Sequence, residues 1–169
     1  MIKDKIKHLR QLTTIRKSFK KNKKIVVFTN GCFDLLHYGH VKYLEAAKDK
    51  GDILIVGINS DKSLKGIKGL KRPIICQKDR AAIIAALESV DYVVIFDTPT
   101  PLTLIKQLKP DVLAKGADWK VKDIVGAKIA KQYGGKIIRI KVVGRYSSTK
   151  LIGTIVKKYR SAKTDTKAT

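Results

Sequence analysis

Cysteine, acidic side chains and long apolar runs are what this sequence has least of. Cys32 and Cys76 are its two cysteines in 169 residues. They are too few for a disulfide framework and too far apart for a CxxC metal pair, which excludes a small stapled secreted domain and suits a reduced, cytoplasmic setting. No apolar run approaches the ~20 residues of a membrane-spanning helix, and the charged N-terminus lacks the apolar core of a signal peptide. A soluble protein with no membrane partner is expected. Asp and Glu together number 14 against 37 Lys and Arg, for a net charge of +23. Lysine supplies 30 of those 37 cations and is dispersed along the whole chain. A dedicated nucleic-acid binder concentrates its cations with interleaved aromatics. Dispersal points instead to a field that attracts anionic substrates, with no specific nucleic-acid partner. Absent as well are a GxxxxGK[ST] loop, a GxGxxG fingerprint and a Ser–His–Asp pattern, so three common routes to nucleotide or acyl chemistry are closed.

What is present is concentrated between residues 26 and 40. Val26-Val27-Phe28 opens an apolar, β-branched run that reads as a buried parallel strand. The run breaks at Asn30-Gly31 and turns helical near Tyr38, where Val41, Leu44 and Ala47 recur at helical spacing. A strand that turns through glycine into a helix leaves amide N–H groups and the positive end of a helix dipole facing outward, which makes an anion site. His37 and His40 stand in that turn at i and i+3, and both imidazoles can donate to phosphate oxygens.

The remaining chain alternates strands with helices. Strands are expected at 52–58, 91–96, 112–114 and 136–143, and helices through about 50, then at 77–87, 102–108, 124–133 and after 149 to about 159. That order gives an α/β fold, a single doubly wound parallel sheet of Rossmann-like type. Residues 1–23 form an amphipathic helix and basic connector, 24–160 the domain proper, and 161–169 a disordered tail. The helix packs on the domain or on a second subunit. The stretch 62–76, with Gly66, Gly69 and five cations, is expected to be a loop that closes over phosphates. Four polar stations fall at strand ends or helix starts: 30–40, Asn59 with the basic loop, 115–119 and 146–149. Doubly wound sheets bind ligands at such positions.

His37-Tyr38-Gly39-His40 resembles the HxGH signature of the nucleotidyltransferase superfamily, and Gly31-Cys32-Phe33-Asp34 resembles the GxFD of its cytidylyltransferase-like branch. Further segments are similar to the adenylyltransferases of ADP-heptose synthesis. These are Asn59-Ser60-Asp61 with Lys65, Lys68-Gly69, Arg72-Pro73 and Arg80, then Lys115-Gly116-Ala117-Asp118-Trp119, Ile124-Val125-Gly126-Ala127 and Gly134-Gly135. The series closes with Gly144 and Tyr146 to Ile152. Ala117 departs from the family, which usually has glycine there, and Arg145 to Ser148 depart from its usual GxSTT.

The resemblance implies transfer of AMP from ATP to D-glycero-D-manno-heptose 1-phosphate, with Mg²⁺ carried by the triphosphate rather than by a protein cage. It implies that His37, His40, Lys68 and Arg72 stabilise the phosphates in the transition state. Asn30, Gly31, Cys32, Phe33, Gly39, Lys115, Gly116, Asp118, Ser147, Ser148 and Thr149 would line the nucleotide and its phosphates. Asp34, Asn59, Lys65 and Trp119 would lie on the sugar-phosphate side. Asp34 could instead buttress the turn, Trp119 could pack near the base or in the core, and Arg80 could be structural, pairing with a carboxylate. No nucleophile is evident, so the mechanism expected is direct in-line attack by an already anionic phosphate. A homodimer and a separate sugar kinase are the partners implied. A glycerol-3-phosphate cytidylyltransferase of the same branch is the alternative, and a non-enzymatic nucleotide or nucleic-acid-binding module a more remote one.

Overall fold

The computed structural model describes residues 1–141, 143, 144 and 147–165, the last five through their backbone alone. Its strands are β1 (Val26–Gly31), β2 (Ile53–Asn59), β3 (Tyr92–Phe96), β4 (Val112–Gly116) and β5 (Lys136–Ile140). All pair in parallel, in the order β3-β2-β1-β4-β5. The helices are α1 (Ile2–Lys5), α2 (Leu9–Lys21), α3 (Tyr38–Lys48), α4 (Asp61–Lys68), α5 (Gln77–Ala85), α6 (Leu102–Leu108), α7 (Ala127–Gln132) and α8 (Ser148–Asp165).

The sheet is buried on both faces, which is why its strands are continuous apolar runs rather than alternating ones. On one face Val27, Leu54 and Val56 pack with Leu44 and Ala47 of α3 and with Ala81 and Ile84 of α5. On the other, Phe28, Ile55 and Val94 pack with Leu12 of α2, Leu104 and Ile105 of α6 and Ala130 of α7. The sheet is therefore doubly wound. The chain builds outward from β1 through β2 to β3, then crosses to β4 on the other side. The point where the order reverses lies between the carboxyl ends of β1 and β4, where such sheets form a crevice.

The N-terminal amphipathic segment divides into α1 and α2. Between them Ile6 bridges Val93 on the sheet's outer strand, and the Lys7 N–H donates to the Val93 carbonyl at 2.9 Å. This pairing covers an edge that would otherwise offer free backbone groups. Leu12 is 1% exposed, and Arg16 donates to the Leu108 and Lys109 carbonyls and to Asp111. The apolar face of α2 is thus spent on the domain's own core. Of the two roles expected for this helix, packing on the domain is the one observed, and it lends no support to a second subunit.

The expected basic loop at 62–76 is a helix over its first part, Asp61–Lys68, and this corrects the sequence reading. Ser60 caps it, its Oγ accepting from the Ser63 N–H at 3.0 Å, and Leu64 is fully buried. The two glycines argued for a loop, but Gly66 sits mid-helix and Gly69, at φ 89°, ends it. β5 stops at Ile140 rather than 143, and the helix expected from 124 begins at Ala127 after a 3-10 turn at Val121–Asp123. α8 continues to Asp165, into the segment expected to be a disordered tail; 166–169 lie outside the described residues.

Candidate active site

Two cavities meet at the β1–β4 crevice. The smaller, about 260 Å³, is lined by the β1–α3 turn, including Phe33, His37, Gly39 and His40, and by Tyr43, Gly116 and Ser147. The wider, about 340 Å³, is lined by Asn59, Lys68, Trp119 and an apolar wall that includes Pro99, Leu113, Ile124 and Val125. Asn30, Gly31, Cys32 and Lys115 line both. The cavities are two arms of one cleft.

His37 occupies the N-cap position of α3 but its side chain makes no capping bond, so the first N–H groups of the helix keep no intrahelical acceptor. The imidazoles of His37 and His40 stack with centroids 3.7 Å apart and planes 20° apart. Phe33 meets His40 edge-on at 5.2 Å. Burial, with His37 alongside, pushes His40 down to about 4, and burial lowers His37 too. Both rings are therefore neutral near pH 7. Both Nδ1 atoms are buried without a hydrogen-bond partner among the described residues. A buried orphan N–H is rarer than a buried orphan acceptor, so the proton is assigned to Nε2 on each ring. Each histidine then offers one donor away from its buried Nδ1, and each gains charge only when an anion arrives to stabilise it.

Gly39 makes that stack possible. A Cβ there would stand 2.8 Å from the Val143 carbonyl oxygen and 3.2 Å from His37 Nδ1. Gly31 plays a similar part below Phe33, whose ring a Cβ would meet at 2.8 Å.

Across the crevice Lys115, at the end of β4, donates to the Asn30 side-chain oxygen at 3.0 Å and lies over the Trp119 ring at 5.3 Å. Burial lowers its pKa. Cys32, whose thiol is pushed up by burial, faces Asn59 Oδ1 at 3.9 Å and is not poised as a nucleophile.

Several expected residues lie elsewhere. Asp34 is 1% exposed. It accepts from the Ile74 and Ile75 N–H groups at 2.8 and 3.0 Å and is ion-paired with Arg72. Of its two sequence readings the buttress is the one observed, and Arg72 is committed to it rather than to the cleft. Lys65 and Asp118 are exposed and line neither arm. Ser147 lines the smaller arm and accepts from the Lys150 N–H at 3.2 Å, so it both caps α8 and reaches the cleft. Ser148 donates to the Leu35 carbonyl at 3.2 Å, tying α8 to the histidine turn, while Thr149 is exposed. Tyr146 lies outside the described residues. Trp119 is 44% exposed, which excludes its core reading.

Arg80 is structural. Only 1% exposed, it donates to the carbonyls of Ile75, Cys32 and Asn59 at 3.0, 2.6 and 2.8 Å and to Asp61 at 2.8 Å. One guanidinium thereby holds the ends of β1 and β2 at the cleft floor. Sequence reasoning missed Tyr43, whose hydroxyl is 2.7 Å from Thr29 Oγ1 and is pushed up to about 12 by burial. It also missed the apolar wall, which three separate segments assemble.

The family model described as cytidylyltransferase-like matches residues 28–154, which takes in both arms of the cleft. The chain belongs to the cytidylyltransferase-like family. Membership makes it a nucleotidyltransferase, and the HxGH turn, Lys115 and the first turn of α8 all fall within the matched span. Among curated relatives it is 50% identical over 155 residues to the Bifunctional protein HldE of Geobacter sulfurreducens, which is 92% of this chain and 32% of that protein. Over 127 residues it is 58% identical to the Bifunctional protein HldE of Nitratiruptor sp., covering 75% of this chain and 28% of that one. The chain thus spans about a third of the length of these relatives. The lipopolysaccharide core biosynthesis protein of Thermoplasma volcanium aligns with TM-score 0.61 and 29% identity, over 72% of this chain and 99% of that one. Pantoate-beta-alanine ligase of Francisella tularensis aligns at 0.60 with 19% identity, over 83% and 67%, and shares the fold.

Proposed function

We propose that this cytidylyltransferase-like chain is a sugar-phosphate adenylyltransferase that moves AMP from ATP to D-glycero-D-manno-heptose 1-phosphate, in the synthesis of ADP-heptose for lipopolysaccharide. The stacked His37–His40 pair, with donors aimed from a helix N-terminus and Lys115 facing it, is the observation that carries the chemistry. The identity with the HldE proteins carries the substrate. An oxygen of the sugar phosphate attacks the α-phosphorus of ATP as the bond to the bridging oxygen breaks, and pyrophosphate leaves with the electron pair. The attacker is already an anion, so no general base is needed. His37, His40 and the first N–H groups of α3 hold the phosphate oxygens, Lys115 takes charge from the opposite side, and Lys68 stands at the mouth of the wider arm. The apolar wall there suits a nucleobase, with Asn59 and Lys68 toward the sugar phosphate.

Among the described residues no three His, Cys, Asp or Glu side chains come together as a metal cage. Mg²⁺ would accordingly be held by the triphosphate oxygens and water, and when bound it neutralises the developing pyrophosphate charge. The sugar 1-phosphate has to come from a kinase step. A cytoplasmic homodimer fits this reading. Ile155, Val156 and Tyr159 on α8 are exposed and give a second copy apolar surface to cover, and no helix among the described residues is long and apolar enough to cross a membrane.

The test is pyrophosphate release with Mg²⁺, pairing ATP or CTP with heptose 1-phosphate or glycerol 3-phosphate. The expected result is release with ATP and the heptose phosphate alone, lost in His37→Ala. Release with CTP and glycerol 3-phosphate would overturn the substrate, and silence from folded protein in every pairing would overturn the activity.

A further inference from the structure

The amino-terminal edge of the sheet carries a feature that the transfer reaction does not use. A cavity of about 360 Å³ opens there, floored by Ile25, Val112 and Ile138. Arg16, Lys20, Lys23, Lys24, Lys50 and Lys136 surround it, with Asp111 as the one acid among the described residues. Val26, Val112 and Lys136 are the first residues of their strands. The six residues of β1 at about 3.3 Å each therefore put this cavity roughly 15–20 Å from the catalytic cleft.

General basicity does not account for it. Six of its eleven lining residues are cationic, where the composition of 37 in 169 would supply two or three. Local carboxylates pair with two of the six, Arg16 and Lys24. Asp111 accepts from Arg16 with one oxygen and from the Val26 N–H with the other, both at 2.8 Å. Asp52 is similarly used by Lys24 and the Ile25 N–H. Lys20, Lys23, Lys50 and Lys136 form no ion pair among the described residues. Helix dipoles are insufficient as well. α2, α3, α6 and α7 all end at this edge, α6 just before Asp111 and α7 just before Gly134, and supply at most about half a negative charge each, against four cations without a carboxylate partner. Four cations without a carboxylate partner, lining one concavity, repel each other unless an anion occupies it.

We propose that this edge is a second anion site, which takes a small oligophosphate with three or more clustered negative charges. The cavity has the volume of a small-molecule site rather than of an extended groove. Its unpaired cations are lysines, compact point charges that suit phosphate without dictating its orientation. Among the described residues no aromatic ring lines it for a base to stack on, which argues against a nucleic-acid strand.

The probe is inorganic tripolyphosphate, titrated calorimetrically into the full chain near physiological ionic strength. Two sites per chain are expected. The variant Lys20→Gln/Lys50→Gln/Lys136→Gln should weaken one site at least tenfold and leave kcat and the KM for ATP within twofold. His37→Ala should weaken only the other. Lys78→Gln/Lys106→Gln/Lys122→Gln, which removes the same charge from exposed positions elsewhere, should leave both sites intact. A single site in the unsubstituted chain, or equal weakening by the two triple variants, overturns the proposal. So does displacement of tripolyphosphate from this edge by a single-stranded oligonucleotide at lower concentration.

Discussion

Arg80→Met is the substitution that tests how the cleft floor is held. Methionine roughly keeps the apolar stem and removes all the donors, so the structure defines what is lost. Three backbone carbonyls, those of Cys32, Asn59 and Ile75, and the carboxylate of Asp61 lose their partner at once. The Asp61 side chain is 32% exposed and can turn to water, so its share is small. The Asn59 carbonyl bond is buried and those of Cys32 and Ile75 are partly so. An unsatisfied buried acceptor costs about 1–3 kcal/mol, and the partly buried pair recover some of that from solvent, so the expected loss is about 3–5 kcal/mol. With a urea m-value of about 2 kcal/mol/M for a chain of this size, the midpoint should fall by about 2 M. Arg80→Lys keeps the charge but reaches one or two acceptors instead of four, and should recover less than half of the loss. Because Cys32 and Asn59 both line the cleft, kcat/KM measured where the variant is still folded should also fall, by about tenfold or more. A loss of stability under about 1 kcal/mol, or full activity in a destabilised but folded variant, would refute the account of Arg80 as the tie between β1 and β2.

Two further outcomes follow from the histidine turn. In a helix alanine is favoured over glycine by about 1 kcal/mol, so Gly39→Ala would stabilise α3 were there room for the methyl group. The 2.8 Å approach to the Val143 carbonyl and the crowding of His37 should instead reduce kcat by about 10–100-fold, a scale consistent with sub-ångström misplacement of a catalytic group; a steady-state assay that finds wild-type kcat counts against the close approach. The second outcome concerns pH. His40 titrates near 6.5 when unfolded and about 4 when folded, so the unfolded chain takes up the proton first. The stability conferred by the neutral ring is complete above pH 6.5 and is lost as pH falls from 6.5 toward 4. At pH 5 that difference has a ceiling of about 2 kcal/mol, reduced to about 1 kcal/mol because the ring is partly exposed. Urea titrations at pH 7.5 and 5 should show it, and His40→Gln should remove most of the slope; an unchanged slope in that variant would place the titration elsewhere.

The strand–turn–helix around 26–40 and the alternation of strands with helices were legible because they rest on local rules. Apolar runs, a glycine break and helical spacing are all carried by adjacent residues, and Asn30 to Phe33, His37, His40, Asn59, Lys115 and Ser147 line one crevice. α4 was missed although its signals are equally local. Ser60 is a capping residue, and Leu64 and Ile67 stand at i and i+3, but Gly66 and Gly69 outweighed them in a segment dense with lysine. What could not be read at all are pairings between distant segments. Asp34 finds Arg72 and the 74–75 amides 38 to 41 residues away, and nothing in GxFD specifies that partner. The apolar wall joins Pro99, Leu113 and Ile124, which meet only because β3, β4 and the turn before α7 end at the same level.

The Asp34–Arg72 pair changes how the cleft handles charge. From the sequence, four cations, Lys65, Lys68, Arg72 and Lys115, stood ready to neutralise phosphate. In the fold Arg72 is consumed by a fully buried carboxylate, its own side chain 13% exposed, and Lys65 faces solvent outside both arms. Among the described residues Lys68 and Lys115 remain as the cations lining the two arms, two fewer than expected. The deficit falls on groups that carry no net charge at rest: the first N–H groups of α3 and two neutral, stacked imidazoles. On the proposed reading, such a site would bind a triphosphate without holding competing anions too tightly beforehand, and would gain charge as His37 or His40 takes up a proton beside the bound phosphates. Nucleotide binding near neutral pH should therefore be accompanied by proton uptake. Calorimetry in buffers of different ionisation enthalpy measures it directly, and the uptake should disappear in His37→Gln/His40→Gln. Binding with no proton uptake would mean that backbone amides and the lining lysines balance the charge, and that the histidines act only as neutral donors.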